Sequence, residues 1–198
     1  MSTVDDRHVP DGAGVPRAVT EGLFWSWVVN DLEELVTMGP WSRRHAAELA
    51  RRVPGGGPAW LRDGLTERHV RVAIGTMGVL VWSLARRGTA TGGRSRLFRA
   101  ALLAYGAHGV THLLNSVTWR GYTPGVLTAP TAVIPYSWWA LRRLRRAGLL
   151  RVDAPTVALA AVGLPASMFG IHAGTARLLA GLERRRSGAG DARTDGAR

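Results

Sequence analysis

The chain contains no cysteine among its 198 residues. A disulfide framework and a thiolate metal site are therefore excluded, and any bound metal must be held by oxygen and imidazole nitrogen. Lysine is absent as well: the 26 basic residues are all arginine, against 14 acidic ones, giving a formal charge of +12. Such an excess would suit nucleic acid if it formed a patch on a folded surface. Instead the arginines gather in short runs at the ends of apolar stretches, as in Arg86 and Arg87, then Arg142, Arg143, Arg145 and Arg146, then Arg184 to Arg186. Charge placed this way snorkels to a membrane interface, and it explains a mean hydropathy near zero in a chain with long apolar segments. The expected partner is a lipid bilayer and not nucleic acid.

The opening stretch carries Asp5, Asp6, Pro10 and Pro16, with no apolar core after the initiator and no small-residue cleavage site. Residues 1–18 thus read as a disordered polar lead and not a cleavable signal. Residues 184–198 read as a disordered Arg-rich tail. Between them, Ala100 to Trp119 and Tyr122 to Leu141 each run twenty residues without a formal charge. That length suffices to cross a hydrocarbon core of about 30 Å. Ala154 to Ala176 is uncharged too, with Pro165 inside it as an expected kink. The shorter run Val72 to Ala85 needs its arginine flanks to complete a crossing. The expected fold is all-α, a polytopic transmembrane bundle of about five membrane helices over residues 19–183. Its spans fall at about 21–38, 70–87, 98–119, 122–141 and 154–182, with an interfacial amphipathic helix at about 42–53 ended by the Pro54 to Pro58 run.

The first span is the unusual one. Leu23, Phe24, Trp25, Trp27, Val28, Val29, Leu32, Leu35 and Val36 leave it too apolar for water, yet Asp31, Glu33 and Glu34 lie within it. Each charge at membrane depth costs about 2.5–3.5 kcal/mol on insertion scales, so such residues mark a working site. At about 100° per residue, Asn30, Glu33, Glu34 and Thr37 share one face, while Asp31 points away, toward an arginine or the headgroups. In the third span Tyr105, His108, His112 and Asn115 form a second stripe by the same spacing. His172 adds an imidazole in the fifth span, and His69 is expected at an interface. Gly39 and Pro40 are expected to end the first helix.

Two chemistries suit this set. Carboxylates and imidazoles facing into a helical bundle make a divalent metal site for Zn, Fe or Mn, with Glu33, Glu34, His108, His112 and His172 as ligands. Alternatively, a carboxyl group held away from water beside an imidazole makes a metal-free acid/base pair. Each motif also has an ordinary explanation. Paired histidines at i, i+4 commonly serve packing, and a Glu-Glu pair can sit at an interfacial helix end; the two stripes together favour a site. Tyr122 to Thr128 is a Pro-Gly turn between two helices, close enough to the histidines to line that site.

Asn30-Asp31-Leu32-Glu33-Glu34, His108-Gly-Val-Thr-His112 and Tyr122-Thr-Pro-Gly-Val-Leu-Thr128, in this order, resemble the HXXEE family of small bacterial membrane proteins. The resemblance runs from about Gly22 to Leu182. It implies a multi-pass protein of the bacterial cell membrane, with enzymatic activity suspected from its glutamates and histidines. Asn30 stands at the motif's first histidine; an amide is neither a general base nor a strong zinc ligand. The reading that follows is a membrane-embedded enzyme of unknown reaction acting on a small or lipophilic substrate. Glu33, Glu34, His108 and His112 would be ligands or acid/base groups, while Asn30 and Tyr105 would orient substrate. The alternatives are a proton- or cation-coupled carrier, with a homo-oligomer supplying a second half, and a non-catalytic membrane partner subunit.

Overall fold

A computed structural model describes residues 14–195; of the lead expected to be disordered over residues 1–18, residues 1–13 lie outside the described residues, while Val15 N donates to the Gly92 carbonyl at 3.2 Å and α1 already begins at Arg17. The described chain is all-α. Helix α1 spans Arg17–Arg44, followed by the short α2 (Ala46–Arg52), a 3-10 turn at Pro54–Gly56 and the single turn α3 (Ala59–Arg62). Helices α4 (Glu67–Ala90) and α5 (Arg96–Trp119) form a hairpin, and α6 (Ile134–Arg146) and α7 (Ala154–Asp195) complete the order.

Local chemistry accounts for most boundaries. Thr66 caps α4 by accepting from the His69 backbone N–H at 3.1 Å, and Ser95 caps α5 through the Phe98 N–H at 3.3 Å. Between α4 and α5 the chain reverses through Gly92 and Gly93, at φ of 57° and 87°, a conformation glycine adopts without penalty. The first helix departs from expectation: it continues through Pro40 to Arg44. Proline removes one backbone bond there, but the turn beyond it is held from outside, because Trp41 Nε1 donates to the Tyr122 carbonyl at 2.9 Å and the Ser42 hydroxyl accepts from Leu65 N at 2.8 Å. The amphipathic helix expected over 42–53 therefore shrinks to Ala46–Arg52. The helix expected from Tyr122 also starts later. Residues up to Thr128 form a turn, and Ala129–Val133 make one wide π turn, with the Ile134 N–H bonded to the Ala129 carbonyl. Pro135, which has no N–H, follows directly. Helix α7 passes through Pro165 and beyond the expected boundary at residue 183.

The tightest packing lies at one end of the bundle. Val19 and Leu23 of α1, Ala85 of α4, Phe98 and Leu102 of α5, and Ala140 and Leu144 of α6 are buried together there. Gly88 permits this approach, since a Cβ on it would stand 2.6 Å from the Phe98 ring. Helix α1 packs on α4 and α6, while α7 packs on α5 and α4. Among the described residues one helix, Ala154–Ser187, is long and apolar enough by itself to cross a membrane, with a mean hydropathy of 1.6 and 6% of that window buried.

Candidate metal centre

Away from that packed end, α1 and α5 bring the acidic and imidazole stripes into contact. Asn30, Asp31 and Glu34 are buried on α1; on α5 His112 is buried and His108 half-buried. Glu34 Oε1 lies 3.2 Å from His112 Nε2, and that nitrogen is 2.9 Å from His108 Nε2. The i, i+4 spacing sets the two rings edge to face with centroids 4.3 Å apart. Glu34, His108 and His112 each offer one ligand atom, and all three atoms fall within 4.8 Å of one another.

The tautomer of His112 is fixed from outside the helix. Its Nδ1 is 2.8 Å from the Pro124 carbonyl oxygen, which can only accept, so Nδ1 carries the proton. In the neutral ring Nε2 is then a lone pair, and it faces a carboxylate oxygen that is also an acceptor. Two acceptors at this distance are stable only with a proton or a cation between them. This is also how metal-binding histidines are held, with the far nitrogen donating to a fixed oxygen and the near one aimed at the site. The fit is therefore favourable for a divalent cation with two imidazoles and one carboxylate, and a set of three protein ligands leaves a coordination position open.

The turn at 122–128 supplies that support, and it does so under a tight steric constraint. Gly125 has φ of 83°, and a Cβ placed on it would fall 2.4 Å from His112 Cε1 and 2.5 Å from Nδ1. Glycine is required on both counts. Glu33 fastens the turn to α1. Its carboxylate accepts from the Tyr122 hydroxyl at 2.6 Å, the Thr128 hydroxyl at 2.6 Å, and the backbone N–H groups of Thr128 at 2.9 Å and Leu127 at 3.3 Å. The same Thr128 hydroxyl lies 3.1 Å from Asn30 Oδ1, while Asn30 Nδ2 donates to Glu34 Oε1 at 3.2 Å. The adjacent glutamates thus have separate work: Glu34 joins the histidines and Glu33 holds the turn that orients one of them.

Not every residue grouped by sequence meets here. His172, expected among the metal ligands, instead pairs with His69, Nδ1 to Nε2 at 2.9 Å, beneath a Trp60 ring stacked on it at 5.2 Å. Its helix packs on α4, which carries His69 at its buried start. Glu33 is engaged by the turn and stands outside the three-ligand cluster. The Tyr105 hydroxyl lies 3.1 Å from Ser26 Oγ and makes no direct bond to the cluster. Asn115 is exposed. Asp31 departs in the other direction: it is buried, with its Oδ2 3.5 Å from Asn30 Nδ2. Because α4 also covers α1, the buried arc of that helix is wider than one polar stripe, and Asp31 lies inside it. Asp31, Thr128, Pro124 and Gly125 are the participants that spacing alone did not select; the Pro-Gly pair in the turn was the one available signal.

Beside the cluster lies a cavity of about 250 Å³ bounded by α1, α4, α5 and α7, with Asp31, Glu34, His108 and His172 among its lining residues.

The fold and cluster define a class of small all-α proteins with carboxylate and imidazole side chains gathered between helices of the bundle. Within that class, the chain matches the family described as "Protein of unknown function with HXXEE motif" over residues 22–140, and it belongs to that family. The matched segment contains Asn30 to Glu34, both cluster histidines and the turn, and it stops short of α7. No curated protein and no solved structure matches the chain.

Proposed function

We propose that this protein is a multi-pass membrane enzyme in which Glu34, His108 and His112 hold a divalent metal (Zn, Fe or Mn) and act on a small lipophilic substrate at membrane depth. The observation that carries the reading is the position of His112 Nε2, 3.2 Å from the Glu34 carboxylate in a ring oriented by its 2.8 Å contact with the Pro124 carbonyl. A divalent cation there supplies Lewis-acid polarisation of a carbonyl or phosphoryl oxygen. The chain's own groups do the rest. Asn30 holds Glu34 Oε1 in place, Glu33 holds the turn, and the turn holds the imidazole. Asp31, buried beside the cluster, is the free carboxylate placed to take or give a proton to substrate.

Membrane placement is supported by what the surface exposes. Trp25, Val29, Leu32 and Val36 follow one another at helical spacing on α1, and Val36 is 68% exposed. Val110, Leu114 and Val117 do the same on α5, as do Val162 and Phe169 on α7. Apolar stripes on several sides of a small bundle support a lipid surround. Arginine and tryptophan cap the ends: Arg142 lies over Trp138 at 4.4 Å near one end, and Arg52 over Trp119 at 4.0 Å near the other.

A metal-free version of the same site is favoured by one observation. Asn30 occupies the motif's histidine position, and its amide reaches Glu34 as a hydrogen-bond donor. In that version the Glu34–His112 pair itself moves the proton. The two are separated by measuring the metal content of detergent-purified wild type, Glu34→Gln and His112→Ala. One equivalent in wild type with loss in both variants supports the metal site; no stoichiometric metal in any of the three removes it.

A further inference from the structure

We infer that the cavity beside the cluster is a binding slot for a single-chain lipid with an uncharged, hydroxyl-bearing head. The inference rests on the proposed function, whose substrate class it names. Three observations lead to it.

The first is shape. On α4 the lining residues run from Val70 to Leu84 and on α1 from Leu23 to Met38. At 1.5 Å per residue, the α4 stretch alone covers about 21 Å along the bundle. The volume of about 250 Å³ is small for that length; pockets for drug-sized ligands hold about 300–1,000 Å³. A long, narrow cavity of this kind accepts one extended chain.

The second is its lining. Along most of its length the walls are apolar side chains such as Leu23, Trp27, Ile74, Met77, Leu80 and Leu84. The ionisable side chains lie on the later α1 turns and on their neighbours: Asp31, Glu34, His108 and His172. A ligand that satisfies both parts has a hydrocarbon body and one polar end. Asp31 lies outside the three-ligand cluster and keeps a carboxylate beside the head, which disfavours an anionic head such as a fatty acid. A hydroxyl can donate to Asp31, whose hydrogen bond among the described residues is the long contact from Asn30 at 3.5 Å.

The third is access. Helix α7 forms one wall, yet only 6% of its apolar window is buried within the protein. It rests on α4 and α5, with Thr156 and Thr175 as its buried side chains among the described residues and the His69–His172 pair, at 2.9 Å, joining it to α4. A wall that leaves so much of its apolar surface uncovered is the side from which a chain dissolved in lipid can enter the slot laterally.

The test is photolabelling of the full chain in lipid nanodiscs with a twelve-carbon alkyl-diazirine alcohol, and in parallel with the matching carboxylic acid, with adducts mapped by mass spectrometry. The alcohol is expected to label slot residues such as Met77, Leu80 and Met168. The acid should label these at least ten-fold less. Two blocking variants, Gly163→Leu and Ala101→Phe, should each lower slot labelling by the alcohol at least ten-fold. Gly163 is the safer of the two, since a Cβ there meets only Leu159 Cδ1, at 3.9 Å. Gel filtration and helix content identify any variant that fails to fold. Adducts confined to outward residues such as Val36 and Val117, or slot labelling unchanged in a folded blocking variant, would overturn the slot. Equal slot labelling by the acid would overturn the assigned head. Metal content read on the same samples separates this inference from the one beneath it: labelled slot without metal retires the metal centre, and metal without slot labelling retires the lipid.

Discussion

Replacing Gly125 by alanine should weaken the cluster without substituting any of its three ligands. The added Cβ would stand 2.4 Å from His112 Cε1, whereas carbon atoms pack at about 3.5–4.0 Å, so the imidazole must retreat by about 1 Å. A shift of that size carries Nδ1 out of its 2.8 Å bond to Pro124 and turns Nε2 away from Glu34. The backbone adds strain, since φ of 83° belongs to the left-handed region, where a side chain costs about 1–2 kcal/mol. With about 0.5–1.5 kcal/mol for the lost hydrogen bond, Gly125→Ala should destabilise the protein by about 2–3 kcal/mol. Loss of a partner that orients a metal-binding histidine typically weakens metal by about 10–100-fold. Gly148→Ala is the control: it has φ of 66° and nothing within 4 Å of the new Cβ, so it shares the backbone penalty and lacks the clash. Zinc affinity by chelator competition and thermal unfolding, both in detergent, should show Gly125→Ala impaired in both and Gly148→Ala in stability alone. Equal zinc affinity in Gly125→Ala and wild type, or an equal loss in Gly148→Ala, would refute the reasoning.

Glu33→Ala should behave differently from any change at Glu34. Removing an acceptor of four hydrogen bonds frees the turn, so hydrogen exchange should rise at residues 122–128 and zinc affinity should fall by about 10-fold without vanishing. The absence of native cysteine allows the membrane reading to be tested by single cysteines in a clean background. Cysteines at Val36, Val117 and Phe169 should resist a membrane-impermeant maleimide in intact membranes and react after detergent denaturation, while one at Gly55 in the exposed 3-10 turn reacts from one side throughout. Rapid labelling at all three apolar positions would place this surface in water.

Helix type and the two polar stripes are legible in the sequence because each depends on spacing within one helix, whereas their meeting depends on how α1 and α5 pack. Glu34, His108 and His112 could be selected that way. What escaped depends on contacts between helices. Pro40 reads as a stop, yet Trp41 and Ser42 find partners 81 and 23 residues away that carry the helix onward. Asp31 lies off the polar stripe, but a second neighbouring helix buries it. His172 sits at membrane depth like the cluster histidines and still finds His69 first, a pairing set by how α7 leans on α4. The division of labour between Glu33 and Glu34 was equally hidden, because adjacent residues on a helix point about 100° apart and only the fold says what lies in each direction.

In the proposed site Glu34, His108 and His112 close on one cation. X-ray absorption at the metal edge of zinc-loaded protein reads this most directly. Two imidazole nitrogens at about 2.0–2.1 Å and one carboxylate oxygen at about 2.0–2.2 Å are expected, with one imidazole lost in His112→Ala. A shell of light oxygen scatterers without the imidazole signature, unchanged in that variant, would contradict it.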